Sequence, residues 1–196
     1  MSSEIKANKI SPATGTAFTF GDSGDTFTIP SGATIANSGT ATGFGGDNTP
    51  AFSAYLSSDQ TGIADATMTT IIFNTEVVDS DSAYDTSNGR FTVPSGEGGK
   101  YWVAFNIMLV STGINVPLAL QARVLKNGST NMGQAEQQTH YISLVQSLYF
   151  GTILDLSAGD YIQAQGYVNT SDGSTVSCAG DAHYRSYFTG YKMIGL

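Results

Sequence analysis

Charge is scarce in this sequence: Asp, Glu, Lys and Arg together make up 12% of 196 residues, about half the share of an average soluble domain. Helix-favouring Glu, Lys and Arg are few while Gly, Ser and Thr abound, a balance that favours strands and turns over helices. Basic residues are scarcest of all. Eight Lys and Arg against sixteen Asp and Glu leave a net charge of −8, which repels nucleic acid and anionic membrane surfaces. Cysteine occurs once, as Cys178. No intrachain disulfide can form, which fits maturation in a reducing cytosol, although two copies could still pair across a symmetric oligomer. Histidine occurs twice, as His140 and His183, and neither belongs to a nucleophile motif such as a Gly-x-Ser-x-Gly elbow. No enzymatic role and no cofactor are expected. The longest apolar stretch, Tyr101 to Val110, is too short to span a bilayer and contains Asn106, so no membrane insertion is expected. The opening Met1-Ser2-Ser3-Glu4-Ile5-Lys6 lacks a charged segment followed by an apolar core, and no secretory signal is expected there.

The length accommodates one domain of ordinary size plus an appendage. Composition changes near residue 46. Residues 1–46 are Ser, Thr, Gly and Ala with isolated large apolar residues, among them Ile5, Ile10, Phe18, Phe20, Phe27 and Ile29. So few anchors do not offset the ordering entropy of this stretch in an isolated chain. It reads either as a solvated linker or as an arm ordered against sister chains or a partner. Alternation in Thr16–Phe20 and Thr26–Ile29, closed by Gly, Asp and Pro turns, predicts short β-strands, and Gly15-Thr16-Ala17 recurs as Gly39-Thr40-Ala41.

From residue 47 the pattern is that of a head. Ala51–Leu56, Thr69–Phe73, Gly89–Val93, Lys100–Val110, Leu118–Lys126, Tyr141–Leu154, Tyr161–Val168, Thr175–Ala179 and Ser186–Ile194 read as strands. The run Asp79 to Asn88 reads as a loop. Asn127-Gly128 is a hairpin turn pair, and Leu156–Asp160 is a tight turn from which Tyr161–Val168 returns. In Lys100–Val110 both faces are mostly apolar, so burial on both sides is expected. No segment keeps a helical period. Eight to ten strands at this spacing predict a sandwich, and a jelly roll closes one of this length.

Six pieces carry a resemblance: Phe73-Asn74, Asn88–Pro94, Gly99-Lys100-Tyr101, Leu125–Gly128, Leu154–Asp160 and Ser186–Tyr191. In this order they resemble the complement globular-head and tumour necrosis factor superfamily, over about residues 50–196. The resemblance implies a jelly roll of about ten antiparallel strands, assembled as a tight homotrimer with the last strand near the threefold axis. Val103 departs from it, standing where the family usually has an aromatic, and no collagen repeat precedes the head. The arm takes the place of that stalk. Ser3–Pro12 and Gly32–Gly43 look like fibre and appendage proteins of marine and cyanobacterial phages.

Candidate sites follow from this reading. Tyr101, Trp102, Phe105, Tyr149, Tyr187, Phe188 and Tyr191 are expected in the core or the trimer interface, in preference to a sugar-stacking platform. Ile5, Ile10, Phe18, Phe20, Phe27 and Ile29 are expected to anchor the arm. Asp79, Asp81 and Asp85 lie close enough in sequence to suggest a calcium ion, but their spacing fits no calcium loop and a solvated acidic loop is the preferred reading. The loops Asp79–Asn88 and Thr170–Ser174 carry one aromatic, Tyr84, and are expected to be displayed passively. Replacing Tyr84, Asp81 and Asp85 together by Ala is expected to leave assembly intact.

The expected fold is thus an all-β jelly-roll sandwich with an N-terminal extended β-arm, residues 1–46, and a head, residues 47–196. The expected role is a phage virion protein, assembled in the host cytoplasm and displayed on the virion surface. Its arm would dock a trimeric knob on the major capsid or tail protein. A head fibre or capsid decoration protein comes first. The alternative is a tail-fibre tip that recognises a glycan or protein of the host cell surface. At a strand rise of roughly 3.3 Å per residue the arm reaches about 150 Å at most, short for a tail fibre. A bacterial adhesin fits less well without a secretory signal.

Overall fold

The computed structural model describes residues 10–12, 14–17, 19–36, 48–111, 117–138 and 145–194. The chain divides into two units, Met1–Thr42 and Gly43–Leu196, four residues from the boundary that composition suggested. Among the described residues of the first unit no strand forms: the expected strand at Thr26–Ile29 is absent, and that at Thr16–Phe20 includes Phe18, which lies outside the described residues. Their alternation is real, but a strand needs a neighbour to take its backbone hydrogen bonds. The segment turns instead at Asp22–Asp25, where Asp25 N donates to Asp22 O at 3.0 Å and Asp22 N to the Asp25 carboxylate at 2.8 Å.

The second unit is all-β, with thirteen strands among the described residues. The first sheet contains β1 (Ala51–Tyr55), β2 (Gln60–Ile63), β4 (Thr75–Asp79), β7 (Gly99–Val110), β10 (Val145–Leu156), β12 (Val176–Cys178) and β13 (Tyr187–Lys192). The second contains β3 (Thr69–Thr70), β5 (Tyr84–Asp85), β6 (Arg90–Thr92), β8 (Pro117–Lys126), β9 (Thr130–Gln138) and β11 (Tyr161–Thr170). Strand pairing is antiparallel throughout both sheets. In the first sheet β7 is central: β10 runs along one edge, and β13 and then β12 share the other. In the second, β11 plays the same part, with β8 on one edge and β6 and then β3 on the other.

Period-two alternation sends one set of side chains between the sheets. Tyr101, Val103, Phe105, Ile107 and Leu109 of β7 are buried, as are Ile162, Ala164 and Val168 of β11. Phe52 sits at the centre of an aromatic cluster, stacked on Phe91 (4.5 Å) and Tyr84 (5.4 Å) and edge-on to Phe188 (4.9 Å). These rings come from both sheets, and burying each contributes roughly 1.5–3 kcal/mol. They hold the sandwich shut.

Several expectations need correction. The turn after β10 does not make a hairpin, because β10 pairs with β7 and β11 lies in the other sheet. Leu154 and Leu156 are buried on one side of that turn and Ile162 on the other, so the chain crosses the core there. Only Thr69–Thr70 of the expected strand 69–73 pairs. Ile71 and Phe73 are buried all the same, and the Ile72 N–H donates to the Gln60 side chain at 2.8 Å. Tyr84 is not a loop aromatic on display: it is 5% exposed, and its hydroxyl donates to Phe73 O at 3.3 Å. The apolar pattern of a two-residue strand is too short to reveal this. Cys178 is fully buried, and burial pushes its thiol up to about 12. It cannot meet a second copy's cysteine while the head is folded.

Asn127-Gly128 makes the expected hairpin turn between β8 and β9, with both residues at positive φ, and Ser129 N closes it on Lys126 O. The Asp160 carboxylate locks this turn to its neighbour. It accepts from Lys126 Nζ at 2.6 Å, Asn127 Nδ2 at 2.7 Å and Ser157 N at 2.7 Å. These bonds, Lys126 first, favour the ionised form and hold its pKa down at about 2, against 3.8 ordinarily. A depressed carboxyl stabilises the fold above its unfolded value and stops doing so as pH falls through its folded value. Asp160→Asn is therefore expected to melt below wild type at pH 7. The gap should narrow between about pH 4 and pH 2 in thermal melts followed by circular dichroism.

Candidate assembly face

The outer face of the first sheet is organised in cross-strand rows. One row runs Tyr149, Asn106, Tyr187, Tyr55 across β10, β7, β13 and β1. A second, four residues along, runs Ile153, Trp102, Tyr191, Ala51. Between them lie Gly151, Ala104, Thr189 and Ser53. Two aromatic ridges thus flank a trough of small residues, with ridges about 13 Å apart at two residues per step. None of these twelve residues is charged, in a chain of net charge −8. Charge sits at the margin instead, in the pairs Lys100–Asp155 and Arg185–Asp181.

The ridges are exposed to a degree unusual for aromatics. Tyr149 is 57% exposed, Ile153 49% and Tyr191 38%, and Val145 on the same side of β10 is 44% exposed. A contiguous apolar patch is the kind of surface that interfaces use. Within the chain Asn106 Nδ2 donates to Arg185 O at 2.5 Å, and the Tyr187 phenol is pushed up by its partial burial and by the nearby Tyr149.

The seven residues expected in core or interface divide by strand parity. Tyr101, Phe105 and Phe188 point into the core and are fully buried, whereas Trp102, Tyr149, Tyr187 and Tyr191 line the outer face. The expected two-sided burial of β7 is therefore only half realised in one chain: Trp102, Asn106 and Met108 are half-buried. Val103 is fully buried in the core. The sequence reading missed Tyr55, Ile153 and Val145. Alternation along Val145–Leu156 marks Val145 and Ile153 once the register with β7 is known, because they share a parity with Tyr149 and Gly151, and the pairing of Tyr55 with Tyr187 marks Tyr55.

Gly151 is at a close approach. A Cβ there would lie 3.0 Å from two Trp102 ring carbons and 3.0 Å from Tyr149 Oη. Gly151→Val is expected to displace Trp102, to weaken self-association at least tenfold, and to leave the head's melting within a few degrees of wild type. Trp102 is the only tryptophan, so its emission wavelength reads the displacement directly and sedimentation reads the association.

The other candidates fall elsewhere. Asp79 accepts from Ala83 N and Tyr84 N, Asp81 from Ser80 Oγ, and Asp85 from Ser87 N, Ser87 Oγ and Asn88 Nδ2. Each carboxylate braces its own stretch of turn, and among the described residues no three metal-ligating side chains converge. Asp79 ends β4 and Asp85 lies in β5, so the expected single loop 79–88 is two strands and their turns. His183 is exposed, and its imidazole meets only the Asp181 carboxylate, at 3.5 Å, among the described residues. His140 lies outside them. In the arm, Ile10, Phe20, Phe27 and Ile29 are exposed, and the Phe20 and Phe27 rings meet at 5.4 Å. Ile5 and Phe18 lie outside the described residues.

Comparison with known proteins places this architecture. The family model described as C1q domain matches residues 51–193. The globular domain of zebrafish complement 1qA is similar in structure, with 17% identity, a TM-score of 0.50, and coverage of 74% of this chain and 98% of that one. Murine APRIL is 12% identical with a TM-score of 0.53, covering 73% and 98%. Eiger TNF from S. frugiperda is 14% identical with a TM-score of 0.53, covering 73% and 91%. At these identities the structures speak to the fold alone. A search of curated protein sequences finds no match.

Proposed function

The chain belongs to the C1q domain family, and from that premise we propose that it is a non-enzymatic structural subunit that trimerises through the outer face of its first sheet. The observation that carries this is the charge-free face of two aromatic ridges around a small-residue trough, left half-exposed in one chain. Ridge and trough complement each other, and aromatic side chains without charge are what the dry centre of an interface contains. The family resemblance supplies the threefold symmetry.

We further propose that the trimer is a knob on a bacteriophage virion, a head fibre or capsid decoration protein held to the shell by residues 1–46. Support comes from the likeness of the arm to phage fibre proteins and from the exposure of Ile10, Phe20, Phe27 and Ile29. These side chains gain most by docking on a partner. The head's core is built from its own residues. Deleting residues 1–46 is expected to give a soluble head that assembles normally but no longer joins particles. Incorporation of the truncated head at normal copy number would place the anchor in the head. Labelling intact particles would distinguish shell from tail.

A further inference from the structure

The outer face of the second sheet differs in chemistry from that of the first. Along β11, Gln163, Gln165, Tyr167 and Asn169 point outward, opposite Leu125, Arg123, Gln121 and Ala119 of β8. At its centre a guanidinium is fixed in place: Arg123 Nε donates to Gln165 Oε1 at 2.9 Å, and Gln165 Nε2 donates to Thr70 Oγ1 at 3.3 Å. Beside it, Tyr167 lies directly across from Gln121, with Asn169 two residues on and Ala119 opposite Asn169 as a shallow dip. Gln121, Tyr167 and Asn169 are each partly exposed on this face.

We propose that this surface binds a neutral glycan chain, with Tyr167 as the stacking ring and Gln121, Asn169 and Arg123 as the hydroxyl-binding groups. Sugars present an apolar C–H face and, on the edge, vicinal hydroxyls that both donate and accept. A ring flanked by carboxamides, which also donate and accept, meets both needs. Charge disfavours a polyanion: the face carries Arg90 and Arg123 against Asp85 and Glu136, and the Asp65 carboxylate, which accepts from Thr170 beside the site, adds a further negative charge. A protein partner is disfavoured because the face lacks the exposed apolar ridges of the first sheet. The site does not depend on the trimer, since all its residues come from one chain and from the opposite sheet.

The test is affinity electrophoresis of the full chain in native gels cast with laminarin, galactomannan or dextran, and with alginate as the acidic probe. Retardation is expected in at least one neutral gel. It should be about tenfold weaker for Tyr167→Ala and for the double variant Gln121→Ala/Asn169→Ala, which touches no core residue. Tyr149→Asp, which alters the other sheet, should retain binding. The proposal is overturned by no retardation in any neutral gel, by retardation in alginate alone, or by full retention of binding in the amide double variant.

Discussion

The double variant Tyr149→Asp/Ile153→Asp is expected to sediment as a monomer at concentrations where the wild-type chain is associated. Both side chains are about half exposed in one chain, and they stand at the same edge of the two aromatic ridges. In a single chain an aspartate at either place stays hydrated and costs little. In an interface it is brought against Trp102, Tyr187 and Tyr191 or their counterparts, where an unpaired carboxylate costs roughly several kcal/mol. A trimer contains the substitution three times over. At 1.4 kcal/mol per tenfold, the association constant is expected to fall by more than about three orders of magnitude. The folded head should persist, because neither residue contributes to the core between the sheets. Unchanged association in this variant would move the interface off this face.

Tyr84→Ala is expected to have the opposite profile, with heavy loss of stability and no specific effect on assembly. Tyr84 stacks on Phe52 at 5.4 Å and is 5% exposed. Removing the ring leaves a cavity beside Phe52 and Phe91, and aromatic-to-Ala changes at such sites cost about 3–5 kcal/mol. In a domain of this size each kcal/mol lowers the melting temperature by about 2–4 °C, so the midpoint should drop by roughly 6–20 °C. Tyr84→Phe keeps the ring and gives up only the 3.3 Å hydrogen bond to Phe73 O, at about 1 kcal/mol. Calorimetry of the two variants separates packing from hydrogen bonding. Equal, small losses in both would mean that Tyr84 is a surface residue after all.

Tyr84 also shows where sequence reading stops. The long strands at Lys100–Val110 and Tyr161–Val168 were legible as strands, but both faces of Lys100–Val110 are mostly apolar, so its sequence predicted burial on both sides and did not single out the core face. Thr130–Gln138 was not legible, since its run of Asn, Gln and Glu has no apolar face strong enough to mark a strand at the edge of a sheet. Parity alone split Tyr101 from Trp102 and Phe188 from Tyr187. It could not say that Trp102, Tyr187, Tyr149 and Ile153 share one surface, because that depends on β10 and β13 flanking β7 at a given register. The crossing of Leu156–Asp160 from one sheet to the other was hidden for the same reason. A turn reveals its own geometry, whereas its destination is set by the core on either side of it.

The central claim is that one chain is an incomplete unit, finished by two copies of itself on the outer face of the first sheet. Sedimentation equilibrium of the purified full chain, at micromolar concentration, tests this most directly. The account predicts a single species of about three times the 20.5 kDa chain mass, with Trp102 emission shifting to longer wavelength when dilution or Tyr149→Asp/Ile153→Asp dissociates it. A stable monomer at that concentration, with Trp102 emission independent of dilution, would contradict it.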